Sequence, residues 1–160
     1  MNIRTQLITL LVLLCVGCQS AKEFEADSFG NTTHADAIMF FSEEGSRYTS
    51  DLYREKVRVR GIPPSEAGKV PDLPAPRGEL KELIKAARMW KDRVPKKDRE
   101  LRLIYIRFQK VYAGYEILYK NLGDDASFDS YAEQHFERMR KLAEAVQIVE
   151  NRPEGYRIKE

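Results

Sequence analysis

Histidine and cysteine are the residue types most often used for catalysis and metal binding, and this chain of 160 residues has few of them. Its two histidines are His34 and His135, and no cysteine follows Cys18. No His-x-x-x-His pair occurs, and the Glu-x-x-His pattern of di-iron bundles is absent because residue 136 is Phe. Nucleophilic serine motifs and glycine-rich phosphate loops are also absent. The sequence therefore predicts no catalytic site, no metal site and no cofactor, with His135 as a partly exposed helix residue.

Asp124 and Asp125 are the most conspicuous pair of carboxylates, and paired carboxylates can serve as general acid and base. They lie in the stretch Asp-Asp-Ala-Ser, between two segments with helical periodicity. A solvated turn between two helices explains them better. In that interpretation Asp125 or Ser127 is the N-cap of the second helix.

Four tyrosines, Tyr105, Tyr112, Tyr115 and Tyr119, fall on one long helical segment. Tyrosine combines a large apolar area with a hydroxyl group and is common at binding surfaces. One interpretation is an exposed groove that accepts a helix or strand of a partner protein. The other is core packing in which the hydroxyl groups reach the surface. These four tyrosines are the candidate partner-binding residues.

Positive charge is concentrated between residues 81 and 110, which hold eleven Lys or Arg and four Asp or Glu. Residues 111–150 have the opposite balance, with four basic and eight acidic residues. One interpretation is contact with anionic lipid headgroups or an acidic partner. The other is a solvated helical hairpin whose two halves attract each other. The candidate residues for contact with an anionic surface are Arg93, Lys96, Lys97, Arg99 and Arg102.

The first 18 residues have the pattern of an export signal. Arg4 is the only charged side chain, and residues 7–17 are an uncharged run of eleven residues rich in Leu, Ile and Val. As a helix this run extends about 16 Å, roughly half of a bilayer core, so it fits the apolar region of a signal peptide better than a transmembrane helix. An ordinary cleaved signal peptide and an uncleaved short anchor are the alternatives.

The run ends in Leu-Cys-Val-Gly-Cys at residues 14–18, which resembles the lipobox of bacterial lipoproteins. In that family a small residue precedes an invariant lipidated cysteine. Gly17 and Cys18 match this pattern, while Cys15 stands where Leu is usual. The resemblance implies cleavage before Cys18 and a covalent lipid there, palmitate included, with two or three acyl chains for stable anchoring. Gln19 stands in place of the Asp that favours inner-membrane retention. If the host is Gram-negative, the resemblance therefore implies an outer-membrane lipoprotein facing the periplasm.

Two segments of the remaining chain are predicted to be linkers. Residues 1–17 are the signal peptide and would be removed. The first linker is the polar stretch 18–33, a flexible tether spanning on the order of 20 Å. Residues 61–78 contain five of the seven prolines. Because proline removes backbone donors and fixes φ, this second linker is expected to lack regular structure.

Residues 34–60, between the linkers, form a short N-terminal helical region. Thr33 and Asp36 resemble a capping box at its start. The stretch Ser-Glu-Glu-Gly-Ser at residues 42–46 is expected to interrupt the helix. The two short helices predicted on either side of it are 34–43 and 47–58.

Residues 79–152 have the strongest periodicity, with apolar residues recurring every three or four positions. This pattern predicts an all-α fold, a small antiparallel helical bundle. The middle helix is expected to be central, with Gly123 as its C-cap. Phe136 belongs to the predicted apolar stripe of the last helix, and residues 153–160 are a tail. The predicted helices are 79–93, 96–122 and 127–151.

These features favour a non-enzymatic, membrane-anchored lipoprotein that binds or positions another component of the cell envelope. The expected partners are the membrane, through the lipid on Cys18, and an envelope protein. Nucleic acid is not expected, because the net charge is only +2 and the chain carries an export signal. One alternative is an envelope enzyme acting on peptidoglycan, which would need a polar cleft with converging carboxylates or His135. The other is a lysis or exclusion lipoprotein encoded by a phage or plasmid.

Overall fold

The computed structural model describes residues 32–61 and 77–159, and the regular structure in these two ranges is entirely α-helical. The all-α bundle predicted from the sequence is therefore confirmed. The export signal and most of the tether and proline-rich linker lie outside the described residues. The helices are α1 (His34–Arg60), α2 (Arg77–Arg93), α3 (Arg99–Lys120) and α4 (Asp125–Glu150).

Helix α1 is a single helix of 27 residues, so the predicted interruption at residues 42–46 is wrong. Within this stretch the hydroxyl groups of Ser42 and Ser46 donate to backbone carbonyls four residues earlier. Hydrogen bonds from α3 also reach the carbonyl oxygens of Phe41 and Gly45. Packing along α3 thus overrides the weak helix propensity of this stretch.

Side-chain caps fix where α1 and α3 begin. Thr33 and Asp36 form the predicted capping box at the start of α1. Helix α3 begins at Arg99 rather than at residue 96, because Asp98 is its N-cap and accepts a hydrogen bond from the backbone N–H of Leu101 at 3.3 Å.

The turn between α3 and α4 differs in detail from the prediction. The C-cap of α3 is Asn121, and Gly123 has no positive φ, so it is not a left-handed cap. The N-cap of α4 is Asp124 rather than Asp125 or Ser127. Both Asp residues nevertheless belong to a turn between helices, as predicted.

The chain runs up, down, up and down through the bundle. Helices α1 and α3 are parallel, since His34 meets Tyr105 near one end and Lys56 meets Leu122 near the other. Helices α2 and α4 are antiparallel to α3 across short turns. The ring of His34 also contacts Trp90, with centroids 5.1 Å apart, so the start of α1 lies at the same end as the α2–α3 turn.

Helix α3 is central, and its predicted apolar stripe is buried. Helix α4 is covered on one side only. Phe136 is 66% exposed, so the prediction that it packs in the core is wrong. The reason is that α1 packs on α2 and α3 but barely approaches α4. The buried stripe of α3 consists of Leu101, Ile104, Tyr105, Phe108, Val111, Tyr112, Tyr115 and Leu118.

Candidate functional site

A groove of about 470 Å³ opens between α1 and α4. It exists because both helices pack on α3, while α1 comes close to α4 chiefly at one end, where Lys56 and Arg60 reach Asp125. Its floor is formed by Phe108, Val111 and Tyr115 of α3, and helices α1 and α4 form its walls. The wall residues are Phe41, Ser42, Gly45 and Ser46 on α1, and Met139, Leu142, Ala143, Val146, Gln147 and Glu150 on α4.

The α1 wall of this groove is made largely of small residues. Ser42 Oγ donates to the carbonyl of Ile38 at 2.7 Å, and Ser46 Oγ donates to the carbonyl of Ser42 at 3.0 Å. Each hydroxyl group is thus turned back onto its own helix. With Gly45 between the two serines, the wall allows a second backbone to approach closely.

Tyr115 is the polar residue of the floor, but its hydroxyl group is used within the protein. It donates to the carbonyl of Gly45 at 2.7 Å and lies 2.6 Å from Thr49 Oγ1. Burial raises the pKa of Tyr115, so the phenol stays neutral. Among the described lining residues Glu150 is the single carboxylate. The groove therefore offers apolar contact area rather than a pair of catalytic groups.

The four tyrosines predicted as partner-binding residues do not form an exposed groove. Tyr105 and Tyr112 are fully buried, Tyr115 is 1% exposed, and Tyr119 is half-buried. Burial raises the pKa of all four, that of Tyr119 to about 12. The stripe is covered because α1 is one long helix and lies along it.

The tyrosine hydroxyl groups instead hold α1 against α3. Tyr112 donates to the carbonyl oxygen of Phe41 at 2.5 Å. The hydroxyl group of Tyr105 lies 2.7 Å from Nδ1 of His34, the first residue of α1. Of the two interpretations of the tyrosine stripe, the contacts agree with core packing, with the hydroxyl groups bonded to α1.

His135 lies between α3 and α4 and is 4% exposed, so the prediction that it is partly exposed is wrong. Its ring packs edge-on against Tyr115, with centroids 4.4 Å apart. Neither ring nitrogen has a hydrogen-bond partner within the described part of the chain. Gly114 makes this burial possible, because a Cβ there would lie 2.4 Å from Nδ1 of His135. Burial, and then the charge of Arg138, lower the pKa of His135 to about 4.

The residues predicted to contact an anionic surface come together around the α2–α3 turn, but they differ in role. Arg102 is half-buried, and its Nη1 donates to the carbonyl of Val94 at 2.7 Å, which closes the turn. The guanidinium group of Arg93 lies over the ring of Trp90, 5.1 Å from its centroid. The exposed members of the set are Arg93, Lys96, Lys97 and Arg99.

Sequence reasoning missed an ion pair that closes the same end of the bundle. Arg152 donates from Nη1 and Nη2 to the two carboxylate oxygens of Asp98, at 2.8 and 3.1 Å, and both residues are buried. The hydrogen bond from Arg152 holds the pKa of Asp98 below its usual range, although burial acts to raise it. The two residues are 54 positions apart, so no local pattern links them. The predicted helix 96–122 also placed Asp98 inside its first turn rather than at the N-cap.

Lys56 is a second buried charge that the sequence did not reveal, at the opposite end. Its Nζ donates to the carbonyl of Leu122 at 2.9 Å and to Oδ1 of Asp125 at 2.6 Å. Asp124 caps α4 by accepting from the backbone N–H and the hydroxyl group of Ser127. Both carboxylates are thus engaged in holding the turn.

Cys18 lies outside the described residues, so its lipidation stays a prediction. Within residues 32–61 and 77–159, no three His, Cys, Asp or Glu side chains cluster as ligands for a metal ion. In the same ranges no helix combines the length and the apolar character needed to cross a bilayer. The chain matches no family model, no curated protein and no solved structure.

Proposed function

We propose that this protein is a lipid-anchored, non-enzymatic component of the bacterial cell envelope that binds an amphipathic helix of another envelope protein. The groove between α1 and α4 is the observation that carries the proposal. The lipobox resemblance of residues 14–18 supports the envelope location and a lipid on Cys18.

The groove has dimensions suited to a helix. Its α4 wall extends from Met139 to Glu150, about 16 Å along the axis or three helical turns. An amphipathic helix places an apolar side chain on one face every three or four residues, and apolar grooves of this kind receive it. The exposed apolar side chain of Phe136 lies three residues before Met139 on α4 and extends the apolar surface of this wall by one turn.

The chemistry of the groove favours an apolar partner surface over a charged ligand. The hydroxyl groups of Ser42, Ser46 and Tyr115 are already bonded within the protein. The described lining residues include no Lys or Arg, so a phosphate or an acyl carboxylate would find no counter-charge there. Apolar side chains of a partner helix would need none.

Site-specific photocrosslinking tests this proposal. Benzoylphenylalanine replaces either Ala143, an exposed residue of the groove wall, or Gln134, an exposed residue of α4 outside the lining. We expect an intermolecular adduct from position 143 in the membrane fraction and none from position 134. The cross-linked peptide of the partner should lie in an amphipathic helix.

Two variants serve as controls. Ser46→Phe fills the groove and should abolish the adduct while leaving the helical content measured by circular dichroism unchanged. Cys18→Ala should abolish incorporation of a palmitate analogue and release the protein from membranes. Equal adducts from positions 134 and 143 would contradict the groove, and an unlabelled, soluble wild-type protein would contradict the anchor.

A further inference from the structure

Three segments meet at one end of the bundle: the start of α1, the α2–α3 turn and the segment after α4. The ring of His34 packs on Trp90, and Arg152, just after α4, reaches Asp98 in the turn. Exposed basic side chains surround this junction. We call it the basic end and define it by Lys96, Lys97, Arg99 and Arg157.

Several carboxylates near the basic end are paired with other cations of the protein. Asp36 and Glu150, which also lie at this end, are bonded to Thr33 and to the hydroxyl group of Tyr156. Within the described residues, no carboxylate forms an ion pair with Lys96, Lys97 or Arg99. Positive charge is therefore in excess at this end. The pairs are Asp92 with Lys91, Asp98 with Arg152, and both Glu100 and Glu154 with Lys159, at N–O distances of 2.8 to 3.6 Å.

The cations described at the opposite end are mostly neutralised by neighbouring carboxylates. Lys56 and Arg60 both contact Asp125, and Arg58 pairs with Glu55. Charge is thus distributed unevenly along the long axis of the bundle.

We propose that the basic end rests on anionic lipid headgroups of the membrane in which the lipid on Cys18 is inserted. The proposal rests on the lipid anchor of the proposed function. The chain that leads from Cys18 joins the bundle at Thr33, which lies at this end. A predicted tether of this length spans on the order of 20 Å, so it brings the basic end close to the headgroups.

The lengths involved decide which end meets the membrane. Helix α1 has 27 residues, so the two ends of the bundle are about 40 Å apart. The field of the headgroups decays with a Debye length of about 8 Å at physiological salt. With the tether joined at the basic end, this end is the one that reaches the field. Each cation there contributes about fivefold to the preference for an anionic surface.

This orientation would also set the height of the groove above the membrane surface. Its α1 wall begins at Phe41, seven residues after the start of the helix and about 10 Å from the basic end. With the basic end on the headgroups, the groove opens sideways above the membrane surface. A helix of a neighbouring envelope protein could enter it there.

Energy transfer from a dye on the protein to an acceptor on the lipid headgroups tests the orientation. The mature chain carries no cysteine after Cys18, so Asn151→Cys at the basic end or Gly123→Cys at the opposite end provides a single free thiol. A side chain at position 123 meets open space. The lipidated protein is reconstituted in vesicles of phosphatidylcholine alone or mixed equally with phosphatidylglycerol. We expect stronger transfer from position 151 than from position 123 on the anionic vesicles, and a smaller difference on the neutral ones.

Charge reversal tests whether the lysines of the basic end cause the stronger energy transfer from position 151 on anionic vesicles. Lys96→Glu with Lys97→Glu should reduce the excess transfer at position 151 to the value seen on neutral vesicles. Salt at 1 M, where the Debye length is about 3 Å, should do the same. The matched control Lys81→Glu with Lys85→Glu changes the charge equally at exposed sites toward the other end of α2 and should leave the transfer unchanged.

The outcomes separate this orientation from the anchor itself. Equal transfer from both positions on anionic vesicles, or an equal loss in the two lysine pairs, overturns the orientation while the anchor stands. Wild-type protein that floats with neither kind of vesicle overturns the anchor and the orientation together. Circular dichroism of each variant establishes that it is folded.

Discussion

At the scale of single residues, the contact between His135 and Gly114 decides how closely α3 and α4 approach. The imidazole occupies the space that a Cβ at position 114 would need. It packs on the ring of Tyr115, and the nearby charge of Arg138 opposes its protonation. A buried imidazole without a counter-charge is tolerated in its neutral form, because a proton would add an unpaired charge to the interior.

We expect the free energy of unfolding to decrease as the pH falls from about 6.5 to about 4. The unfolded chain protonates His135 near its ordinary pKa of 6.5, whereas the folded chain does so only near 4. Protonation therefore favours the unfolded state in this window. The stability present above pH 6.5 should fall by up to about 3 kcal/mol. Chemical denaturation at a series of pH values measures the decrease.

His135→Phe is the control for this prediction, since it keeps a ring on Gly114 and removes the titrating group. The stability of the variant should depend less on pH over the same window. His34, whose pKa burial also lowers, keeps its own smaller contribution. Identical pH profiles for the variant and the wild type would show that His135 is not the group responsible.

At the scale of helices, the pairing of α1 with α3 rests on tyrosine side chains that cross between them. Tyr112 reaches the carbonyl oxygen of Phe41, and Tyr115 reaches that of Gly45. These bonds lie along the part of α1 in which the sequence suggested a break. The same contacts that bury the stripe of α3 thus keep α1 helical.

We expect Tyr112→Phe to lower the free energy of unfolding by about 1 kcal/mol, the usual net contribution of one such hydrogen bond. The ring stays in place, so the loss reports on the hydroxyl group alone. Urea denaturation followed by circular dichroism measures it. Tyr53→Phe, at a side chain that is 74% exposed, is the matched control and should leave the midpoint unchanged. The same shift in both variants would contradict a specific link between α1 and α3.

At the scale of the whole molecule, the bundle is closed at its ends and open on one side. Asp98 and Arg152 tie the segment after α4 to the α2–α3 turn, and Lys56 ties α1 to the α3–α4 turn. Between these two closures α1 and α4 stand apart, which leaves the groove. Buried charges thus hold the ends, while apolar surface stays accessible at the side.

We expect Asp98→Ala to destabilise the protein by about 3–5 kcal/mol, because it leaves the buried charge of Arg152 without its main partner. The double variant Asp98→Ala/Arg152→Met should lose less than the sum of the two single losses. The difference, measured by a double-mutant cycle in urea, should be at least about 1 kcal/mol. The exposed pair Glu137 and Arg140 is the comparison and should show a smaller coupling, on the order of 0.5 kcal/mol. Additive losses at Asp98 and Arg152 would contradict the closure.

Much of the fold could be predicted because its signals are local. The stripe of α3 repeats every three or four residues, and the capping box of Thr33 and Asp36 lies within one turn. The interruption predicted in α1 was wrong because it rested on local signals alone. Gly45 and its neighbouring serines weaken a helix by local propensity, and only packing against α3 compensates for this. The candidate site was less predictable, because a stripe of tyrosines shows that a face is covered but not by which helix.

The sequence by itself determined the all-α class, the succession of helices from α2 to α4, the turn at Asp124 and Asp125, and the positive charge around the α2–α3 turn. Only the tertiary structure decided that α1 covers the tyrosines, that His135 is buried and that a groove separates α1 from α4. The physical reason is range. Helices and turns depend on residues a few positions apart, whereas burial depends on which faces meet, and here those faces are joined by contacts between residues such as Phe41 and Tyr112, 71 positions apart.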